Sequence, residues 1–412
     1  MKSTLAVFAL SAVLMSGLIL LPGINMKSFA IPNEQGQLTL ANMNLVMGGS
    51  FKKISTEEAE ESEAPQLNVT FVAIEKNITL GDGTNISALT WNGTIPGPTI
   101  RMTVGDILNV NIINHPNNTL VHSLDHHAST ISAVPAFGPI NVSESKQYSF
   151  VASQPGFFKY HCEGGTEAGQ AVINMDQHVF QGMVGGVIVD PVDGYTGYEG
   201  VGIENGTLAL NTTEVSPDAK EVAFQFSEYY LTPEGQFDRE AMNAHIPTSA
   251  WINGMPFGYD PVITKVGQTP LFAKVGDHFR FFLLNHGDLP VNFHIVGEIL
   301  DRVTDGSIVS GIGKQTYMVG GSNDAIVDVV FDQPGVYAFV NHDYSQLFKG
   351  QAGLVVVDGP DNGTSNLLGL ADDANPSNAI PPTGTNSIPM EVFPYMVGTP
   401  LAYSGQNTSA TT

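Results

Sequence analysis

Four side chains of this sequence have the types and the order of a metal-binding set built around one thiol. The chain of 412 residues contains a single cysteine, Cys162. His178 and Met183 follow it, and His122 precedes it, after an apolar run that we expect to form a strand. A thiolate, two imidazoles and a weak thioether suit copper that cycles between two oxidation states. The sequence therefore predicts a mononuclear electron-transfer copper site rather than a cysteine that only fills the core.

A second metal is predicted on the other face of the same strand. His161 is adjacent to Cys162, and successive side chains of a strand point to opposite faces, so the two residues should bind different metals. His122 and His127 are separated by an odd number of positions, and the same reasoning assigns His127 to the metal of His161. We expect the covalent bridge between His161 and Cys162 to carry electrons from one metal to the other.

The third ligand of this second metal is predicted to be His342, from the other half of the chain. His342 lies one position beyond the residue that matches Cys162 in an internal repeat. Because the two strands are not expected to meet within one molecule, a head-to-tail ring of subunits, most simply a homotrimer, would bring them together. Three imidazoles leave an open fourth position for water or substrate, which is typical of a catalytic site.

Two further residues are candidates for proton transfer at the second metal. Asp125 lies two positions before His127, and His294 occupies the matching loop of the second half of the chain. A carboxylate and an imidazole beside a metal can deliver protons to a bound oxygen. The alternatives are a turn or capping aspartate for Asp125 and a hydrogen-bonded core histidine for His294.

The elements that must position these residues are strands. Short runs rich in Val, Ile, Phe and Tyr alternate with Gly, Pro and Asn turns, without a long amphipathic helix, which predicts an all-β fold. Residues 104–106 with 114–115 match residues 275–277 with 285–286 at the same spacing, and this repeat predicts two successive sandwich domains. The Gly-Asp pair in each copy is expected to form a hairpin turn.

The second repeat should lack the thiolate copper because amides replace its ligands. His115 and His286 recur in both copies and are therefore predicted to be structural. The predicted equivalent positions are Cys162 with Asn341, Met183 with Gln351, His178 with Gln346 and His122 with Asn292.

The N-terminus has the pattern of an export signal. An uncharged apolar run from Leu5 to Leu21 precedes a small-x-small cleavage site at residues 28–30, which predicts a location outside the cytoplasm, in a periplasm-like space or at the cell surface. An uncleaved N-terminal anchor is the alternative. The predicted segments are a signal peptide at 1–30, an acidic low-complexity linker at 31–66, the first domain at 67–191, a linker at 192–218, the second domain at 219–358 and a C-terminal tail at 359–412.

The charge of the chain argues against a nucleic-acid partner. Forty acidic residues against sixteen basic ones give a formal net charge of −24, which repels the phosphate backbone. A small anionic substrate would need local positive charge, and a bound metal ion can supply it whatever the net charge of the surface.

The pattern of ligands resembles that of the copper-containing nitrite reductases, over about residues 67–358. The resemblance implies two tandem cupredoxin-like Greek-key β-sandwich domains, homotrimers, and two coppers per subunit. It implies that nitrite is reduced to nitric oxide with one electron from an external donor protein, a cupredoxin or a cytochrome. The residues that the resemblance assigns are His122, Cys162, His178 and Met183 to type 1 copper, His127, His161 and His342 to type 2 copper, and Asp125 and His294 to proton transfer.

Two other functions are compatible with parts of the pattern. A laccase-like multicopper oxidase would reduce oxygen at a trinuclear cluster, but Glu163 follows Cys162 where that cluster needs a histidine, and neither His294 nor His342 has a histidine two positions away. A noncatalytic cupredoxin electron carrier would not need the second set of ligands. One departure from the family is the loop of fifteen residues between Cys162 and His178, which is longer than usual and borders the thiolate site.

Overall fold

The computed structural model describes seven stretches of the chain, residues 64–79, 85–165, 174–195, 197–204, 207–213, 219–260 and 270–360. The predicted signal peptide, and nearly all of the acidic linker and the C-terminal tail, lie outside the described residues. Residues 166–173 of the long loop before His178 also lie outside them. Across these seven stretches, no helix has both the length and the apolar character needed to cross a bilayer.

The first sandwich contains two sheets of four strands each. Its strands are β1 Gln66–Thr79, β2 Asn85–Trp91, β3 Ile100–Thr103, β4 Ile107–Asn114, β5 Asp125–His126, β6 Ser145–Val151, β7 Gly156–His161 and β8 Val184–Asp190. One sheet has the order β2-β1-β4-β6 and the other β3-β8-β7-β5. Buried and half-buried residues alternate along β4, so that Leu108, Val110 and Ile112 pack into the core between the sheets.

A hairpin lies within the segment predicted to be a linker. Strands β9 Gly197–Glu204 and β10 Thr207–Thr213 pair antiparallel. The connection at 192–218 therefore contains regular structure, although residues 196, 205–206 and 214–218 of it are outside the described part.

The second sandwich repeats the first with additional strands. Its strands are β11 Lys220–Tyr229, β12 Ser249–Ile252, β13 Leu271–Lys274, β14 His278–Asn285, β15 Val291–Val296, β16 Leu300–Asp305, β17 Ile308–Lys314, β18 Tyr317–Val319, β19 Asp324–Val330, β20 Gly335–Asn341 and β21 Ala352–Asp358. One sheet has the order β12-β11-β14-β19-β16-β17 and the other β13-β21-β20-β15-β18. The parallel pairs β11 with β14 and β13 with β21 correspond to β1 with β4 and β3 with β8. The predicted all-β fold with two successive sandwiches is confirmed.

The expected hairpins at the two Gly-Asp pairs are wrong. Gly105-Asp106 connects β3 to β4, and Gly276-Asp277 connects β13 to β14, but in both cases the two strands belong to different sheets. Gly105 and Gly276 have φ values of 100° and 90°, so each turn needs glycine for a sharp reversal between the layers. The sequence pattern identifies a tight turn, whereas the pairing of the strands on either side depends on the whole sheet.

An apolar and ionic interface joins the two sandwiches. All seven residues of β8 are buried, because one face packs into the first core and the other face contacts the second sandwich. Phe157 and Ile188 pack there against Phe282. The guanidinium of Arg101 also bridges the sandwiches, because it forms one ion pair with a carboxylate of the first sandwich and one with a carboxylate of the second.

Four short helices complete the part of the fold that the structure describes. They are α1 Ala133–Ala136, α2 Met175–Phe180, α3 Arg239–Asn243 and α4 Tyr344–Leu347. Helix α2 lies between β7 and β8, and α4 lies between β20 and β21 at the corresponding place in the repeat. The Asp343 side chain accepts a hydrogen bond from the Ser345 amide and so caps the start of α4. His178 on α2 and Gln346 on α4 occupy the matching helices.

Candidate metal centres

The thiol and two imidazoles converge at one end of the first sandwich. The sulfur of Cys162 lies 3.1 Å from Nδ1 of His178 and 3.7 Å from Nδ1 of His122. The two Nδ1 atoms lie 3.2 Å from each other. All three residues are buried. We call His122, Cys162 and His178, with Met183 beside them, the thiolate group.

Backbone contacts bring the members of the thiolate group together. Cys162 directly follows β7, and its amide donates to the carbonyl of Met183 at 3.1 Å. The amide of Met183 donates in turn to the carbonyl of His178, at 3.0 Å, where α2 leads into β8. The amides of Ser123 and Gly164 both donate to the sulfur, at 3.3 Å each. Two donors aimed at the sulfur favour its anionic form, which is the form that binds metal.

Burial controls the protonation of this group before metal binds. It raises the pKa of the Cys162 thiol to about 11, even though the amides of Ser123 and Gly164 act in the opposite direction. It lowers the pKa of His122 to about 4 and that of His178 to about 3. At neutral pH the imidazoles are therefore uncharged, with lone pairs available, and a metal ion must displace only the thiol proton.

Two imidazoles and a carboxylate form a second group on the other side of the strand. Nε2 of His161 and Nε2 of His127 lie 3.1 Å apart. A carboxylate oxygen of Asp125 lies 3.7 Å from the first nitrogen and 3.9 Å from the second. The side chain of His161 is 8% exposed, whereas that of His127 is 32% exposed, so this group opens towards the surface. We call Asp125, His127 and His161 the histidine group.

Strand pairing and backbone contacts position the histidine group. Asp125 on β5 is the register partner of His161 on β7, and the amide of His127 donates to the carbonyl of Lys159. Nδ1 of His161 lies 3.1 Å from the carbonyl oxygen of Cys162. Because a carbonyl can only accept, this nitrogen carries the proton and Nε2 presents its lone pair to the group. His161 and Cys162 belong to different groups of converging side chains, and the binding of a different metal by each stays a prediction.

Burial also determines the charge of the histidine group. It lowers the pKa of His127 to about 4, and the positive charge of Lys159 adds to this effect. Burial likewise lowers the pKa of His161, whereas it raises the pKa of Asp125 against the opposing effect of Lys159. The group thus offers two neutral imidazoles as ligands and a carboxylate with an increased tendency to hold a proton.

The two predicted second-domain residues lie together, apart from both groups within the chain. The rings of His294 and His342 have centroids 5.4 Å apart. His294 lies within strand β15, not in the loop that we expected, and its partner across β20 is Val340. This pairing is equivalent to that of Asp125 with His161, so His294 is the repeat counterpart of Asp125. Within one subunit, neither His294 nor His342 is part of the histidine group.

Comparison with known proteins identifies the family. The multicopper oxidase family model matches residues 73–193. A copper-containing nitrite reductase of Cereibacter sphaeroides is 30% identical over 296 residues, which cover 69% of this chain and 75% of that protein. The chain belongs to the copper-containing nitrite reductase family. A relative of the same description from Neisseria meningitidis serogroup B is 28% identical over 330 residues, which cover 78% of this chain and 76% of the relative.

Solved structures support the same family. The copper nitrite reductase of Nitrosomonas europaea superposes with a TM-score of 0.61 at 28% identity, over 77% of this chain and 98% of that chain. A multicopper oxidase structure also superposes, with a TM-score of 0.54, but at 23% identity it shows only the shared fold. The cupredoxin-like architecture expected of both sandwiches is therefore confirmed.

The residues of the thiolate group fit the copper of this family. The set combines a soft thiolate with two imidazoles whose Nδ1 atoms face the sulfur, which is the donor combination that type 1 copper requires. Met183 is fully buried beside Cys162, so a thioether is present in the same core. Copper is accordingly the cofactor of this chain.

Amides that bond to each other replace the thiolate group in the second sandwich. The amide nitrogen of Asn341 donates to the side-chain oxygen of Gln351 at 2.7 Å, and both side chains are fully buried. The side-chain oxygen of Asn341 accepts from the backbone amide of Asn292 at 2.9 Å, and Gln346 donates to the carbonyl of Pro290. These contacts satisfy the side chains of Asn341 and Gln351, whereas the side-chain oxygen of Gln346 is buried without a hydrogen-bond partner among the described residues.

One predicted equivalence in that sandwich is wrong by a single position. The amide of Ser123 donates to Cys162, and the amide of Asn292 donates to Asn341, so Asn292 corresponds to Ser123. His122 bridges to Ile140 as Val291 pairs with Val319, and Val291 is therefore its counterpart. Alignment of the repeats matched His122 with Asn292 instead, because the backbone pairing that decides the correspondence is not visible in the sequence.

Two charged residues beside the groups were not singled out by sequence reasoning. Glu75 on β1 approaches His122 from another strand, and no local motif indicated it. Lys159 is two positions before His161, a spacing that puts both on one face of the strand and could have revealed it. Its ammonium donates to the carbonyl of His286 at 2.7 Å and to the hydroxyl of Ser322 at 3.1 Å, across the interface between the sandwiches.

The remaining histidines have local partners consistent with structural roles. His115 accepts from the amide of Asn117, and His286 contacts the side-chain oxygen of Gln225 at 2.9 Å. His278 contacts Asp328 at 2.7 Å, and Nδ1 of the exposed His245 lies 3.3 Å from a carboxylate oxygen of Asp288. His126, between Asp125 and His127 in sequence, is fully buried and contacts the hydroxyl of Tyr148, also at 2.7 Å.

Proposed function

We propose that the protein reduces nitrite to nitric oxide, using one electron and two protons and releasing one water molecule. The observation that carries this proposal is that two consecutive residues belong to different groups. Cys162 is part of the thiolate group, and His161 is part of the histidine group. One group can accept an electron while the other binds a small anion, and a short covalent path connects them. The relatives named above are described as copper-containing nitrite reductases, which supports the same reaction.

Each group has a distinct task in this reaction. When bound, copper supplies a one-electron relay at the thiolate group and a redox-active Lewis acid at the histidine group. The buried thiolate group excludes water and holds its ligands through Ser123 and Gly164. The electron comes from an external one-electron donor protein, a cupredoxin or a cytochrome. Its path then follows Cys162 and the peptide bond to His161.

Asp125 is proposed to move protons to the substrate. A carboxylate oxygen lies 3.7 and 3.9 Å from the two Nε2 atoms, so it adjoins the position where these nitrogens would hold the copper that binds nitrite. Burial raises the pKa of this carboxyl group, which increases its tendency to hold a proton and pass it on. Proton transfer to one nitrite oxygen lets that oxygen leave as water.

A neighbouring subunit is proposed to complete the histidine group with His342 and to add His294. The pair lies on an exposed surface beside Met318, Tyr344 and Phe348, which are 64%, 62% and 73% exposed. A patch of large apolar side chains around two histidines is typical of a surface that another protein covers. Because His127 is also partly exposed, a ring of identical subunits, a homotrimer, would cover both surfaces at once.

Within this arrangement, His294 would act as the second proton carrier. Nδ1 of His294 is in close contact with the carbonyl oxygen of Gln315, which can only accept a hydrogen bond. The proton of the neutral ring is therefore on Nδ1, and Nε2 remains available to exchange a proton with substrate or water. We further propose that the protein is exported, as the N-terminal sequence predicts.

The oxidase alternative lacks ligands. Where side chains are described, the converging sets of three or more His, Cys, Asp or Glu residues are the thiolate group and the histidine group. A trinuclear cluster needs more imidazoles than the histidine group has, even with His294 and His342 added. The carrier alternative does not explain why three ionisable residues converge at a second site. Reduction of nitrite is the function that accounts for both groups.

The direct test is nitrite-dependent nitric oxide formation by the copper-loaded protein with an artificial reductant, measured beside oxygen consumption. We expect nitric oxide, two coppers per chain and little oxygen uptake. Oxygen uptake without nitric oxide would establish the oxidase, and one copper with neither activity would establish the carrier. The His342→Ala variant should keep the visible band of the thiolate group but lose the second copper, whereas retention of both coppers would exclude the intersubunit ligand.

A further inference from the structure

The outer ring nitrogen of His122 faces a carboxylate. Nδ1 of this histidine points to the sulfur of Cys162, and Nε2 lies on the opposite side of the ring, 3.4 Å from a carboxylate oxygen of Glu75. The His122 side chain is fully buried, and Nε2 has no hydrogen-bond partner among the residues that the structure describes. A buried N–H group without a partner is costly, and the negative charge of the nearby carboxylate offsets part of this cost.

The carboxylate of Glu75 is held in place by the segment that leads to His122. One of its oxygens accepts from the amides of Thr119 and Leu120, at 2.8 and 2.7 Å, and the other accepts from the hydroxyl of Thr119 at 2.8 Å. Burial alone would raise the pKa of Glu75, but the hydrogen bonds from Leu120 and Thr119 outweigh it and lower the pKa. Three hydrogen bonds from backbone and hydroxyl donors thus hold the carboxylate in one position and favour its ionised form.

We propose that Glu75 is a positioning residue of the thiolate copper, orienting His122 and lowering the reduction potential of the metal. This inference rests on the type 1 site proposed above. The carboxylate favours the tautomer with the proton on Nε2, which leaves the Nδ1 lone pair for copper. Because the same carboxylate accepts hydrogen bonds from Thr119 and Leu120, it also fixes the backbone that leads to His122.

The effect on potential follows from the sign of the charge. A negative charge beside a ligand stabilises Cu(II) more than Cu(I), because Cu(II) carries the larger positive charge. The interaction passes through a buried imidazole, where solvent screens it weakly. Glu75 should therefore oppose reduction of the thiolate copper and make it a stronger donor to the histidine group.

The test is a redox titration of the visible thiolate-copper band in a Glu75→Gln variant. Glutamine has nearly the same shape and can still accept from Thr119 and Leu120, but it has no charge. We expect the equilibrium constant for reduction to rise at least about tenfold, which is about 59 mV for a one-electron couple. The matched control is Glu144→Gln, the same change at an exposed carboxylate that caps a turn of the same sandwich by accepting from the amide of Asn141.

A second variant keeps the inference testable if Glu75→Gln loses copper. Glu75→Asp keeps the charge but withdraws it by one methylene, so its potential should lie between those of the unsubstituted protein and the glutamine variant. If Glu75→Gln loses copper during the redox titration, Cu(II) affinity is compared instead, and a loss of about 10- to 100-fold relative to Glu144→Gln supports the positioning role.

Two results would overturn the inference. One is an unchanged potential and Cu(II) affinity in Glu75→Gln, and the other is an apoprotein that is unfolded by circular dichroism in either Glu75 variant. A lack of any visible band in the copper-loaded unsubstituted protein would instead refute the type 1 site itself, so the two failures can be distinguished.

Discussion

The two metal groups should bind copper with different dependence on pH. Burial raises the pKa of Cys162 to about 11 and lowers the pKa values of His122 and His178 to about 4 and about 3. Copper binds the thiolate, so loading near neutral pH must displace one thiol proton and no imidazole proton. The affinity of the thiolate group for Cu(I) should therefore increase about tenfold per pH unit below the thiol pKa.

The magnitude follows from the distance between the pKa and the working pH. At pH ~7 the solution is about four pH units below the pKa of the thiol, and each unit corresponds to about 1.4 kcal/mol, so deprotonation costs about 5 to 6 kcal/mol of the intrinsic binding free energy. In the histidine group, burial lowers the pKa of His127 to about 4 and also lowers that of His161. Its affinity should vary little above about pH 6, because its imidazoles have already lost their protons.

The assay is an anaerobic competition for Cu(I) between the apoprotein and a chromophoric chelator, at several pH values from about 6 to about 9. A Cys162→Ala variant reports the Cu(I) affinity of the histidine group alone. The difference between this variant and the unsubstituted protein gives the Cu(I) affinity of the thiolate group. The reasoning would be refuted by an affinity of the thiolate group that is constant over this range, or by an equal slope in the variant, because either result would mean that the thiol proton is not displaced.

Three further outcomes are expected. Cys162→Ala should abolish the visible charge-transfer band and leave copper at the histidine group, as measured by absorption and electron paramagnetic resonance; a surviving band would exclude Cys162 as the ligand. His294→Ala should keep the band and lower turnover of nitrite by about 10²- to 10⁴-fold, and unchanged turnover would exclude its role in proton transfer. Asn341→Ala strands the side-chain oxygen of Gln351, so chemical denaturation should show a loss of about 1–3 kcal/mol, whereas no loss would mean that water replaces the amide.

Much of the candidate site could be predicted because its signals are local. Adjacent residues on a strand face opposite sides, so the assignment of Cys162 and His161 to different groups needed only the period of a strand. The repeat likewise predicted that amides would replace the thiolate ligands, since Asn341 and Gln351 occupy the matching positions. Both inferences concern neighbours in sequence or copies of one pattern.

Other features could not be read from local pattern because they depend on which strands meet. The turns at Gly105 and Gly276 looked like hairpins, yet the strands on either side pair in different sheets. The match of His122 with Asn292 failed by one residue, because backbone pairing, not residue type, aligns the two sandwiches. A one-residue shift in register changes which face a side chain occupies, so such errors cannot be corrected from composition.

The sequence by itself determined the residue types of the thiolate and histidine groups, their order and the all-β character of the chain, because these follow from residue chemistry and short-range periodicity. Only the tertiary structure decided that Glu75 lies against His122 and that Lys159 crosses to the second sandwich. Both contacts join residues that are far apart in the sequence, and they depend on burial in a shared interior. In that interior, removal from water makes a buried charge or an unpaired N–H costly, so it requires a suitable partner.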